Sequence, residues 1–154
     1  MGIVSEGYED IFQTSANWIV VPVNTFGVAG AGLALEAKKR SPSWFYYYKR
    51  ACRKKEFNID SFAVAMPDDL PYGIITVATK NHWKEPSELS RIEYILKKML
   101  EVNERKPFHS IALPPIGCGR GELDYKNQVR PLFYQYLQNA PVDVFLCLPS
   151  SNRS

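Results

Sequence analysis

The sequence predicts an α/β sandwich built around a largely parallel central sheet, and three observations predict it. Short β-branched runs alternate with amphipathic helical stretches along the whole chain, two of those runs end in glycine-rich loops, and one run reads as a strand buried on both faces. With 154 residues, 45% of them apolar, the chain is the size of one compact domain, 1–154, with enough apolar side chain for a real core.

The elements follow in order. Ile3–Ser5 is a short strand, and Trp18–Val23 (Trp-Ile-Val-Val-Pro-Val) is a strand whose continuous apolar character suits burial on both faces, although Pro22 argues against its interior. Asn24 to Gly32 is a glycine loop, and Leu33–Arg40 carries helix formers throughout until Pro42 stops it. A second helix starts after Ser41, with Pro42 near its first position and Trp44, Phe45, Tyr48 and Cys52 at helical spacing. Phe62–Met66 and Gly73–Thr79 are strands joined by a turn on Pro67, Asp68, Asp69 and Pro71. Between Ser87 and Glu104 the apolar residues Ile92, Ile95, Leu96, Met99 and Val102 recur at three and four, which makes an amphipathic helix. Ser110–Leu113 is a buried strand followed by a second glycine loop; a helix over Asn127–Asn139 and a strand over Val142–Leu148 complete the chain.

Composition excludes several function classes. Nineteen basic against sixteen acidic residues give a net charge of +3, too small by itself to mark a nucleic-acid binder. Cys52, Cys118 and Cys147 are widely spaced and lack a Cys-x-x-Cys pair, so neither a disulfide framework nor a zinc or other metal site is indicated. Acidic residues at the start displace any apolar signal run, and Trp18–Val23 is far below membrane-spanning length. The expectation is a soluble cytoplasmic protein without membrane association.

Gly27, Gly30 and Gly32 form the first loop, and Gly117, Gly119 and Gly121 the second; each follows a buried strand and feeds a helix. Such pairs let main-chain N–H groups approach an anion, and the helix start after the first loop adds its positive dipole end, so a diphosphate fits between them. The competing reading is that the glycines serve only tight turns. The first loop reads Gly-x-x-Gly-x-Gly and no acidic residue ends the next strand, which fits a dinucleotide fingerprint poorly; no Gly-Lys-Ser/Thr exists for a Walker loop.

Three segments carry a resemblance: Glu9–Phe12 (Glu-Asp-Ile-Phe), Val23–Leu35 (Val-Asn-Thr-Phe-Gly-Val-Ala-Gly-Ala-Gly-Leu-Ala-Leu) and Ala112–Asp124 (Ala-Leu-Pro-Pro-Ile-Gly-Cys-Gly-Arg-Gly-Glu-Leu-Asp). In this order, across nearly the whole chain, they are similar to the signatures of the macrodomain family, an ADP-ribose-binding module. The branch resembled is that of the DarG antitoxin macrodomain and terminal ADP-ribose protein glycohydrolase. The resemblance implies a three-layer α/β/α sandwich with a mixed, largely parallel sheet, no cofactor, a monomer, and ADP-ribose or an ADP-ribosylated substrate as ligand.

It also implies roles. Asp10 would accept from the adenine amino group and Ile11 N–H would meet a ring nitrogen; Asn24 would hold the distal ribose hydroxyls, and Thr25 would join the ADP-ribose contacts. Gly30, Gly32 and Leu33, together with Pro115, Ile116, Gly117, Cys118, Gly119, Arg120 and Gly121, would wrap the ligand. On residue type alone, Asp10 has a lesser alternative reading as a solvated loop or cap residue, and Asn24 one as a turn residue. Thr79–Trp83 (Thr-Lys-Asn-His-Trp) resembles the segment in which DarG-type proteins carry a catalytic lysine, which makes Lys80 the principal catalytic candidate and His82 a candidate acid or base. A lysine with a reference pKa of about 10.4 needs desolvation or a nearby cation to act as a nucleophile, and Lys84, His82 and the cover of Trp83 offer such effects. His82 reads equally as a packing or capping residue.

The protein-directed glycohydrolase of this branch has an aspartate where Gly121 stands here, whereas DarG-type macrodomains lack it and act on thymidine in DNA. The expected function is therefore hydrolytic removal of ADP-ribose from DNA through Lys80, in bacterium or phage, with an ADP-ribosyltransferase toxin as the partner class. Removal of phosphate from ADP-ribose 1″-phosphate and a non-catalytic ADP-ribose or nucleotide-signal binding module are the rival readings. Between Lys38 and Lys55 stand eight basic residues and no acid, with aromatics Trp44–Tyr48 interleaved, which reads either as a phosphate-backbone footprint or as an amphipathic helix with solvated cations.

Overall fold

The computed structural model describes residues 2–82, 84–119 and 121–149; Trp83 and Arg120, both named above, lie outside the described residues. Six strands, β1 (Val4–Gly7), β2 (Trp18–Asn24), β3 (Phe62–Ala65), β4 (Gly73–Lys80), β5 (Ser110–Leu113) and β6 (Asp143–Cys147), form one sheet of order β1-β6-β5-β2-β4-β3. All neighbouring pairs are parallel except β3 with β4. Among the described residues four α-helices complete the fold: α1 (Gly32–Arg40), α2 (Pro42–Arg53), α3 (Leu89–Arg105) and α4 (Arg130–Leu137).

Period-two side-chain alternation divides the apolar residues between two layers of core. Ile19, Val21 and Val23 of β2 pack with Ile74 and Ala78 of β4 against Ala37 of α1 and Trp44, Tyr48 and Cys52 of α2. Val20 of β2 packs with Ile75, Val77, Ile111, Val144 and Leu146 against Ile92 to Met99 of α3 and Phe133 and Leu137 of α4. The sandwich therefore has the three layers expected. Ser41 joins α1 to α2: its fully buried hydroxyl donates to Asp69 Oδ1 and accepts from Trp44 N–H at 3.1 Å, with Pro42 in the first turn as the sequence indicates.

Three expectations shift. Pro22 does sit inside β2, because β2 pairs with β5 only at Trp18 and Ile19; by Pro22 the strand has parted from β5 and is in register with Val77 of β4 alone. β1 lies later than Ile3–Ser5, its ladder to β6 running from Val4 to Gly7. The last helix begins as a π-helical turn, Tyr125–Val129, before α4. Pro131 has no N–H to give to the carbonyl four residues back, so the regular α ladder cannot start at Asn127.

Candidate active site

β2 is the topological switch of the sheet: the chain passes from β2 to the edge strand β3, back to β4 beside β2, and then to β5 on the other flank of β2. Since β2 and β5 separate beyond Ile19 and Ala112, a crevice opens at their carboxyl ends, where α/β sheets place ligands. A cleft of about 980 Å³ fills this position. Its walls include Tyr8 and Asp10 after β1, Asn24 at the end of β2, Gly30 to Ala34 entering α1, Lys80 at the end of β4, and Pro114, Pro115, Gly117, Gly119 and Gly121 after β5.

The first loop is held from below. Asn24, 6% exposed, accepts through Oδ1 from Phe26 N–H at 2.9 Å and Val28 N–H at 3.3 Å, and donates from Nδ2 to the Val28 carbonyl at 2.8 Å. Tyr48 of α2 donates its hydroxyl into the same group, 2.8 Å from the Asn24 carbonyl and 3.1 Å from Oδ1. That leaves one amide N–H of Asn24 for a ligand. Gly27 sits at φ +81°, with Cys52 Cβ 3.3 Å from where its own Cβ would lie, so a side chain there would meet α2. Beyond the loop, α1 starts at Ala31 with no side-chain cap, and its first amides are available to an anion.

At the far edge, Asp10 caps a 3-10 turn, Ile11–Gln13, accepting from Phe12 N–H at 2.9 Å. Arg40, 3.7 Å from Asp10 Oδ2, lies over the Phe12 ring at 4.7 Å and also pairs with Glu36 at 3.1 Å. The cap reading and the ligand reading of Asp10 thus coexist: one oxygen is spent locally while the residue still lines the cleft.

The second loop packs on Ser87, which lies just before α3. Ser87 N–H donates to the Gly121 carbonyl at 2.9 Å, and a Cβ at Gly121 would lie 2.5 Å from Ser87 Oγ and closer still to the Gly117 carbonyl. Gly121 therefore has no room for the aspartate of the protein-directed branch. Ser87 Oγ is buried at the cleft wall and has no hydrogen-bond partner among the described residues.

Of the residues expected from sequence, Asp10, Ile11, Asn24, Gly30, Gly32, Leu33, Lys80, Pro115, Gly117, Gly119 and Gly121 line this cleft. Thr25, Ile116, Cys118 and His82 do not line it. Thr25 ties the first loop to the segment after β4, its hydroxyl donating to Asn81 Oδ1 at 2.8 Å. Ile116 is buried in the core, and burial pushes the Cys118 thiol up to about 12. His82 Nδ1 accepts from Lys84 N–H at 3.0 Å, which in the neutral ring puts the proton on Nε2, and the ring meets Phe26 edge-on at 4.9 Å. These are capping and packing contacts, with the imidazole outside the cleft wall. Sequence reasoning missed Tyr8, Phe12, Ser87 and Leu148 as lining residues. Nothing local marks Ser87, because only the fold brings it under Gly121.

Among the described residues no three His, Cys, Asp or Glu side chains are grouped to hold a metal, and no helix is long and apolar enough to cross a membrane.

The family model for the Macro domain matches residues 20–131. The DNA ADP-ribosyl glycohydrolase of Mycobacterium tuberculosis is 33% identical over 150 residues, covering 96% of this chain and 43% of that protein. Solved structures agree: the macrodomain of Mycobacterium tuberculosis DarG aligns with a TM-score of 0.87 at 33% identity, covering 98% of this chain and all of that one. Thermosipho africanus DarTG in complex with ADP-ribose aligns with a TM-score of 0.88 at 30% identity, covering all of this chain and 43% of that one. The chain thus spans less than half the length of the curated relative.

Proposed function

Because the chain belongs to the Macro domain family, we propose that its cleft binds ADP-ribose and that Lys80 drives hydrolytic removal of ADP-ribose from thymidine in DNA. The observation that carries this reading is the placement of Asp10 and Lys80 along one cleft. Asp10 follows β1 and Lys80 ends β4, with β6, β5 and β2 between them. Four strand spacings of about 4.8 Å, widened where β2 and β5 part, put at least about 19 Å between these positions. That is the reach of an extended ADP-ribose, with adenine at Asp10, diphosphate over the N-terminus of α1, and the distal ribose at Asn24 and Lys80.

In the proposed chemistry the lone pair of a neutral Lys80 Nζ forms a bond to the anomeric carbon. The bond from that carbon to the base breaks, and its electron pair leaves on the base, which takes up a proton. The sugar opens to a protonated Schiff base; water adds to its carbon, the carbon–Nζ bond breaks, and ADP-ribose leaves with the amine restored. Crowding at Gly121 supports a site that works without a second carboxylate there. The curated relatives named for this reaction, and the fusion of Thermosipho africanus named for both transferase and glycohydrolase, support DNA as substrate and a DNA-modifying transferase as the partner class.

Mass spectrometry of ADP-ribose released from a thymidine-ADP-ribosylated oligonucleotide tests the reading. Release by the parent protein and none by folded Lys80→Ala is expected; no release by either overturns it.

A further inference from the structure

Resting on that reading of the cleft, we propose that the outward face of α2 and the turn after it hold the single DNA strand that carries the modified base, with the base itself entering a small pocket beyond Lys80. This pocket, about 180 Å³, shares Thr79 and Lys80 with the cleft and is otherwise lined by Ile59, Asn81, Glu85, Pro86, Glu88 and Arg91. At about 30 Å³ per water it has room for about six, the scale of one nucleobase. A group joined to the anomeric carbon at Lys80 leaves the cleft there, and this pocket is what it meets. Asn81, Glu85 and Glu88 present amide and acceptor chemistry suited to a base edge, while the charge of Arg91 is already matched by Asp60 at 3.2 Å and its guanidinium also donates to the Ile59 carbonyl.

Phosphates are directed to the adjoining cationic surface. Four residues before Ile59 stands Lys55, the end of the run Arg53-Lys54-Lys55 that closes α2, and Phe57 between them is fixed by its edge-on contact with Tyr48 at 6.0 Å. On α3 the cations Arg91, Lys97, Lys98 and Arg105 each pair with a carboxylate. In contrast, Arg50, Arg53, Lys54 and Lys55 are all exposed and form no ion pair among the described residues. Beside them Tyr46 and Tyr47 are 58% and 64% exposed, in edge-to-face contact at 5.6 Å, on a helix whose Trp44, Tyr48 and Cys52 already fill the core. Uncompensated cations interleaved with exposed aromatic rings suit an unpaired nucleic-acid strand, whose phosphates meet the first and whose bases stack on the second.

The test uses fluorescence anisotropy with a labelled, unmodified oligothymidylate and, separately, calorimetry with ADP-ribose. The parent protein is expected to bind the strand at low salt, and the charge-reversed Arg50→Glu/Arg53→Glu/Lys54→Glu protein to bind it at least tenfold more weakly while holding ADP-ribose within twofold. Its log–log salt slope falls by about two, at roughly 0.7 per lost phosphate contact. Tyr46→Ala/Tyr47→Ala lowers strand affinity with the salt slope unchanged. No strand binding by the parent, unchanged binding by the charge-reversed protein, or equal binding of polyglutamate of matched charge would overturn the proposal. Strand binding that responds to these variants in a protein that releases no ADP-ribose would overturn the hydrolase reading and leave this surface standing.

Discussion

The Tyr48 hydroxyl lies 2.8 Å from the main-chain oxygen of Asn24 and 3.1 Å from its Oδ1, so a helix on one layer of the sandwich holds the shape of the cleft's first loop. Tyr48→Phe removes that donor and leaves a buried carbonyl short of a partner, a loss of about 1 kcal/mol. In a domain of this size the expected melting temperature falls by about 3 °C. ADP-ribose affinity falls several-fold with it, and calorimetry on the folded variant reads the second effect; unchanged affinity would mean that the loop keeps its shape without α2.

Asn24→Asp probes the same loop from its other side. The substitution turns the Nδ2 donor, now 2.8 Å from the Val28 carbonyl, into an oxygen facing an oxygen. A loss of about 2 kcal/mol in denaturant unfolding is expected, together with at least tenfold weaker ADP-ribose binding.

Lys80→Arg keeps the charge but removes the nucleophile, since a guanidinium stays protonated. Binding of ADP-ribose should hold within a few-fold while turnover disappears. Borohydride added during turnover should fix a covalent adduct on the peptide containing Lys80 in the parent protein alone; an adduct elsewhere, or none with turnover proceeding, would remove Lys80 from the nucleophile's place.

Gly121→Ala forces a methyl group between the Gly117 carbonyl and Ser87 Oγ. Overpacking of this kind costs about 1–3 kcal/mol, so a melting temperature lower by about 5 °C is expected. Pairing it with Ser87→Ala, which removes a buried hydroxyl without a partner among the described residues, should recover part of the loss.

Alkaline stability follows from the thiols. Burial raises Cys52 and Cys147 to about 11 and Cys118 to about 12, above the unfolded value of about 8.5. The folded state then holds more protons than the unfolded state between these values, so its stability is full below about pH 8.5 and declines as pH rises toward 11 and 12. Denaturant midpoints at pH 8 and pH 10 check the sign. A thiol reagent at pH 8 should modify the native protein slowly and all three cysteines once it is unfolded.

The sequence by itself determined the elements and the two glycine loops, because both rest on local patterns. The three-and-four recurrence of Ile92 to Val102 gave α3, the β-branched run from Trp18 gave β2, and glycines of the two loops stand in the wall of the cleft. Where it fell short, the deciding contacts join residues far apart in the chain. Pro22 is tolerated in β2 only because β5 has already diverged; the π turn that opens the final helix is the local exception, since Pro131 lacks a donor. His82 is occupied by Lys84 N–H and Phe26, and Ser87 is brought under Gly121 by the start of α3. Local propensity fixes what each segment becomes; the order β1-β6-β5-β2-β4-β3 fixes which carboxyl ends share a cleft and which groups are left over to meet a ligand.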